Sequence, residues 1–295
     1  MIVAVCSDKG SPGVSTLAMA LGMVWPGDRA VLDADAAGGD LPFRLWTADK
    51  EQRLAPSPSV AELAAASRLG LSEGGPLPFA QGCSLGVPVV PGMLSADRYR
   101  PLRGLWPRLA AQVATWPGTV IADLGRLQPG NPAVPMAAAA TAVLLVTRVD
   151  LEGLARLRER VAELAAAVGD PSHERTPVGV VVTGPQRSRG FAVQQVRQVL
   201  LSIGSPVQVA GFWAQDPAGA QALWDGRVTR RLAGCELVRS ARTVAESALA
   251  TWPALLPRPD DDVAAAGALS GEPQAQAQVA ARALRWGLPV GVRQP

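Results

Sequence analysis

Along most of the chain, short runs dominated by Val, Ile, Leu and Ala alternate with longer stretches in which apolar residues recur every three or four positions. The first texture marks strands and the second marks helices, and their regular alternation predicts repeated βαβ units. Strands are expected at 2–6, 30–34, 86–90, 119–123, 142–147, 178–183 and 207–212. Several are apolar at every position rather than at every second one, as in strands buried on both faces of a parallel sheet. Helices are expected at 15–25, at 60–67 behind a Ser59 cap, at 97–116, at 151–168, after Gly190, after Pro217 with Asp216 as cap, and at 240–252. In 151–168, Leu151, Leu154, Leu157, Val161 and Leu164 form one apolar stripe, with Arg156, Arg160 and Glu163 elsewhere. Right-handed crossovers between such units give an α/β fold: a doubly wound, mostly parallel sheet of about seven strands with helices on both faces.

The texture changes at Leu256, where PRPDDD is followed by Ala, Gln and Gly without a strong period. This predicts one domain over 1–255 and a mobile tail over 256–295, with a weak helix near 274–286 that could dock or bind a partner and, over 280–286, a weak candidate for peripheral membrane association. No internal repeat is visible.

Composition agrees with a packed α/β domain. Of 295 residues, 48% are hydrophobic and only 4% aromatic, so the apolar content is small side chains that let helices approach a sheet closely. No apolar run approaches the roughly 20 residues of a membrane-spanning helix, and the N-terminal run is too short for the central segment of a signal peptide. Cys6, Cys83 and Cys235 form neither a disulfide framework nor a zinc spacing, so a cytoplasmic protein is expected. The net charge of +3 permits a polyanion partner without requiring one.

The chemistry concentrates near the N-terminus. In VAVCSDKGSPGVSTLAMALG a strand leads into a glycine-bearing loop, and Ser15 and Thr16 open a helix. That order places backbone N–H groups and a helix N-terminus around an anion. The segment KGSPGVST resembles the deviant Walker A motif KGGxGKTT of the ParA/MinD family, the SIMIBI class of P-loop proteins. The resemblance spans about residues 1–250 by motif order and spacing.

The resemblance implies a phosphate loop made of Lys9, Gly10, Ser11, Pro12, Gly13, Val14, Ser15 and Thr16. In it, Lys9 is the signature lysine that reaches a dimer partner's nucleotide, and Ser15 is the hydroxyl that holds Mg²⁺. Three departures stand out. Val14 replaces the lysine that grips the β- and γ-phosphates. Pro12 has no N–H to offer, and Ser11 replaces a glycine. Together they argue for weak or absent ATP/ADP and Mg²⁺ binding and little hydrolysis.

Two further segments carry the likeness. AVLDADAAGGDL is similar to the VLLIDxD segment, which implies that Asp35 polarises the attacking water and that Asp33 stands on the Mg²⁺ side. TVIADLGR resembles the Walker B and switch II segment, which gives Asp123 to the metal and leaves Arg126 to contact a phosphate or a carboxylate. VGVVVTG has Thr183 where the family often has a base-contacting Asn, and VAGFWAQD has Ala214 where Pro is usual while keeping Asp216.

Other candidates weigh less. His173 is the single histidine and lies in a polar loop, so no nucleophile–histidine constellation exists. Trp213 and Trp224 flank a helix entrance, where core packing competes with covering a nucleotide or an interface. Arg227, Arg230, Arg231, Arg239 and Arg242 form either a solvated helix face or a patch for non-specific DNA. Within the class the pattern most resembles TadZ/CpaE-type proteins. That implies a homodimer recruiting a protein partner in a pilus, secretion or positioning system; a working ParA-like ATPase for DNA or cargo is the alternative.

Overall fold

The computed structural model describes residues 1–9, 12–128, 130–168, 176–226 and 229–256. The tail expected over 256–295 therefore lies outside the described residues except for Leu256, and so do Gly10, Ser11, His173 and Arg227.

Eight strands form one sheet in the order β3-β4-β2-β5-β1-β6-β7-β8. They are β1 (Ile2–Ser7), β2 (Arg29–Asp33), β3 (Gln81–Gly82), β4 (Pro88–Val90), β5 (Thr119–Arg126), β6 (Ala142–Arg148), β7 (Val178–Gly184) and β8 (Gln208–Ala214). All pairings are parallel except β3 on β4. β1, β5 and β6 are apolar and buried almost throughout because helices cover both faces. The eighth strand, beyond the seven expected, is the two-residue β3; it is too short to leave a periodic signal.

One face is covered by α1 (Val14–Val24), α9 (Pro217–Trp224), α10 (Arg230–Ala233) and α11 (Glu236–Thr251). The other carries α3 (Val60–Ala66), α5 (Trp106–Thr115), α6 (Val134–Ala138), α7 (Leu151–Ala167) and α8 (Arg189–Ser202). Two further single-turn helices, α2 (Leu41–Arg44) and α4 (Ala96–Tyr99), sit in the connections after β2 and β4. Alternate residues of one strand serve opposite cores: Val3 and Val5 meet α1, while Ile2, Ala4 and Cys6 meet the other layer. Among the described residues no helix is long and apolar enough to cross a membrane.

Most expected elements appear within a few residues of their predicted bounds. Ser59 caps α3 in a capping box with Glu62, and the Asp216 carboxylate accepts from Gly219 N–H at 2.8 Å. Two expectations need correction. The single helix over 97–116 is three pieces: α4, a 3₁₀ stretch Arg100–Leu105, and α5. Pro101, Gly104 and Pro107 withhold amide hydrogens or favour other backbone states along that run. Leu151 does not join the buried stripe of α7 but is 90% exposed, whereas Leu157 and Val161 pack in the core.

Candidate functional site

The carboxyl ends of β1, β2 and β5 meet at the centre of the sheet, where open α/β folds bind ligands. There β1 passes through the loop containing Pro12 and Gly13 into α1. Gly13 is the helix N-cap with φ +95, a left-handed backbone that glycine adopts without steric cost. No side chain caps α1, and its first internal bond runs from Leu17 N–H to the Gly13 carbonyl at 2.9 Å. The N–H groups of Val14, Ser15 and Thr16 precede that bond and make the helix start an open anion cradle.

The cradle forms one wall of a cleft of about 730 Å³. Gly13, Ser15 and Thr16 line it on the α1 side, with Asp35, Arg44 and Arg126 among its other walls. Asp123 lies directly beneath. It is 1% exposed and accepts from Gly125 N–H at 3.0 Å. Its pKa is pushed up to about 6, first by burial and then by the Asp35 and Asp40 charges, against hydrogen bonding from Ser15 and Gly125 that pulls it down. Asp35 is partly buried and accepts from Ala37 N–H at 2.8 Å. Burial raises its pKa, the Ala37 bond and the nearby Arg126 lower it, and Asp40 raises it.

The sequence-predicted residues do not all converge. Ser15, Thr16, Asp35 and Asp123 come together at the cleft. Lys9 turns away: its ammonium pairs with Glu152 at 3.2 Å in a small depression beside α7 that also takes in Pro12. It contributes no charge to the cleft of its own chain.

Asp33, which the resemblance puts on the Mg²⁺ side, lies next to Asp123 on the neighbouring strand. In register with Asp123, it is 1% exposed, accepts from Leu41 N–H at 3.3 Å and does not line the cleft. Its carboxylate is packed so tightly against Gly39 and Gly92 that a Cβ on Gly39 would lie 2.2 Å from Oδ2. Asp33 thus ties the loop after β2 to the loop after β4. Burial, and next the Asp123 charge, hold its pKa well above the usual carboxylate range.

Val14 is 5% exposed and belongs to the apolar cluster that contains Leu17 and Trp213. Trp213, 4% exposed at the end of β8, lies against the loop: a Cβ on Gly13 would meet its ring at 3.0 Å. Of the two sequence readings of Trp213, packing is the one observed. Thr183, at the end of β7, is buried with a hydroxyl that has no partner among the described residues, beside a depression of about 230 Å³ that includes Phe191 and Gln215.

Arg44 and Asp40 carried no local signal in the sequence. They reach the cleft because α2 folds back, with Arg44 paired to Asp40 at 2.9 Å and stacked over Trp224 at 5.2 Å. Gly125 carries a direct test. Its φ is +55, and a Cβ there would lie 2.0 Å from Asp35 Oδ2. Gly125→Ala is therefore expected to cost about 1–2 kcal/mol of stability through the left-handed backbone alone, measured by denaturant unfolding, and to displace Asp35. A variant with wild-type stability would show that position 125 is not held in the left-handed region against Asp35.

No family model matches the chain, and no curated protein matches it. Solved structures do. A ParA family ATPase from Chlorobium tepidum shares 17% identity over 83% of this chain and 98% of its own, with a TM-score of 0.64. The septum site-determining protein MinD from Pyrococcus horikoshii, solved with Mg-ADP, shares 16% identity over 87% of this chain and 99% of its own, with a TM-score of 0.58. MinD in a MinC:MinD complex from Aquifex aeolicus shares 12% identity over 84% of this chain and 96% of its own, with a TM-score of 0.57. At these identities the likeness establishes architecture: the chain has the P-loop NTPase fold of the ParA and MinD ATPases.

Proposed function

We propose that the chain is a MinD/ParA-like localisation or assembly factor, of TadZ/CpaE type, with a degenerate phosphate loop that binds nucleotide weakly and hydrolyses it poorly. The observation that carries this reading is the buried Val14 at the start of α1, where the resemblance places the phosphate-gripping lysine. The rest of the cleft fits Mg²⁺-nucleotide in part. The uncapped amides of α1 suit a phosphate, and Ser15 beside Asp123 is a hydroxyl–carboxylate pair suited to Mg²⁺. Bound there, Mg²⁺-nucleotide would supply a divalent charge and a hydrolysable anhydride. This chain's part would be to seat phosphates on the α1 amides, hold the metal through Ser15 and Asp123, and orient water at Asp35.

What the loop lacks is a lysine at the start of α1, the position from which the resemblance has a cation grip the phosphates during transfer. This favours a binding and recruiting role over turnover. Lys9, half exposed and outside its own cleft, is free of the phosphates in cis, which suits a role across a face-to-face homodimer. Thr183 offers one short hydroxyl that rotates between donor and acceptor, where an Asn amide would hold a separate donor and acceptor in a fixed plane, so weak base selectivity is part of the proposal. The MinC:MinD complex makes a protein partner the natural object of recruitment.

Turnover assays test this. With Mg²⁺-ATP, wild type is expected to turn over slowly, and Val14→Lys, whose longer chain can extend into the cleft, at least about tenfold faster. Equal rates would sink the degenerate-loop reading and favour a working partitioning ATPase.

A further inference from the structure

The α1 cradle supplies amide donors but no cation, because Val14 is apolar and Lys9 is engaged by Glu152. The cleft also contains Asp35 and Asp40, with Asp123 buried beneath, so an incoming polyphosphate meets negative charge. Some group must offset this for phosphate to bind.

The β1–β5 pairing supplies it by a local irregularity. Val5 pairs with Asp123, but Ser7 pairs with Arg126, so β5 carries one extra residue. Gly125, in the left-handed region at φ +55, takes up the kink. In a regular strand, residues three apart point to opposite faces. The inserted residue cancels that alternation: Asp123 receives the Ser15 hydroxyl and Arg126 lines the same cleft as Ser15 and Thr16. The backbone of Arg126 is fixed in this position by Asn131, whose amide donates to its carbonyl at 2.8 Å.

Of the two arginines in the cleft, Arg44 is already paired to Asp40 and stacked on Trp224. Arg126 is exposed and forms no ion pair within 4.0 Å among the described residues, while lying close enough to Asp35 to lower its pKa. We propose that Arg126 is the phosphate-binding cation of this cleft, delivered from β5 in place of the missing lysine of the loop, and that its ligand is a polyphosphate chain such as that of a nucleoside triphosphate. The planar guanidinium suits this role, since it grips phosphate oxygens in pairs.

The inference rests on the phosphate-cleft reading above, and calorimetry on the full chain separates the two. The probes are Mg²⁺-ATP and inorganic tripolyphosphate. Arg126→Gln is expected to weaken both by roughly tenfold or more, the loss of one charge-assisted pair. Arg126→Lys should lose less, Arg197→Gln on the exposed face of α8 should lose nothing, and adding Val14→Lys to Arg126→Gln should restore affinity. Thermal unfolding without ligand should be unchanged in Arg126→Gln, because the side chain is exposed. If wild type binds both probes and Arg126→Gln binds them equally well, Arg126 is not the cation, although the cleft reading survives. If only ATP binding weakens, the arginine acts away from the phosphates and the inference fails. If wild type binds neither probe, the cleft reading and the inference fall together.

Discussion

Trp213→Ala is expected to lower the unfolding free energy by about 3–5 kcal/mol, as for other large aromatics removed from a packed core. The ring is 4% exposed, shares an apolar cluster with Val14 and Leu17, and touches Gly13. Its indole N–H has no partner among the described residues, so the loss comes from packing and the cavity rather than from a broken hydrogen bond. The hole opens directly under the loop before α1. Amide exchange at residues 12–16 should therefore quicken more than the global change explains, whereas Trp213→Phe should keep most of both properties. Denaturant unfolding and native-state exchange check this, and unchanged exchange in the alanine variant would mean that the ring does not support the loop.

A second large effect is on pH. Asp33 and Asp123 stand in register on adjacent strands, both buried, both with raised pKa values. Between the unfolded-state value of about 3.9 and the raised folded values, the native protein holds protons that the unfolded chain has released. Stability therefore falls as pH rises through this window and is greater below it. For Asp123 the shift to about 6 corresponds to about 3 kcal/mol. Without added metal, the protein should melt at a higher temperature at pH 5 than at pH 8. Asp33→Asn keeps the acceptor for Leu41 N–H and removes one of the paired charges. It should stabilise the protein at pH 8 and flatten the pH profile. A steeper profile, or a loss of stability at pH 8, would show that the two carboxylates do not share a buried, low-dielectric environment.

The strands were legible because burial on both faces writes uninterrupted apolar runs, as in Val178–Gly184, and the capped helices because Ser59 and Asp216 act on their nearest neighbours. The segment 97–116 misled because its apolar spacing survives while Pro101, Gly104 and Pro107 break the hydrogen-bond ladder. At the site, Ser15, Asp35 and Asp123 were readable from motif order, since Ser15 opens the helix after β1, Asp35 follows the end of β2, and Asp123 lies in β5. The direction of Lys9, the enclosure of Asp33 and the placement of Arg126 were not. They depend on Glu152 in α7, on Gly39 and Gly92, and on a slip of β5 against β1, all set by tertiary contacts rather than by neighbours in sequence.

The central place of β1 also has a kinetic side. Its hydrogen-bonding neighbours are Thr119–Arg126 and Ala142–Arg148, so both flanks of Ile2–Ser7 come from segments far away along the chain. Pairings this remote carry a heavy loop-closure entropy and slow the search. The turn into α1 takes its shape only when that search ends, so ligand competence should emerge late in refolding, after most of the helical signal has returned.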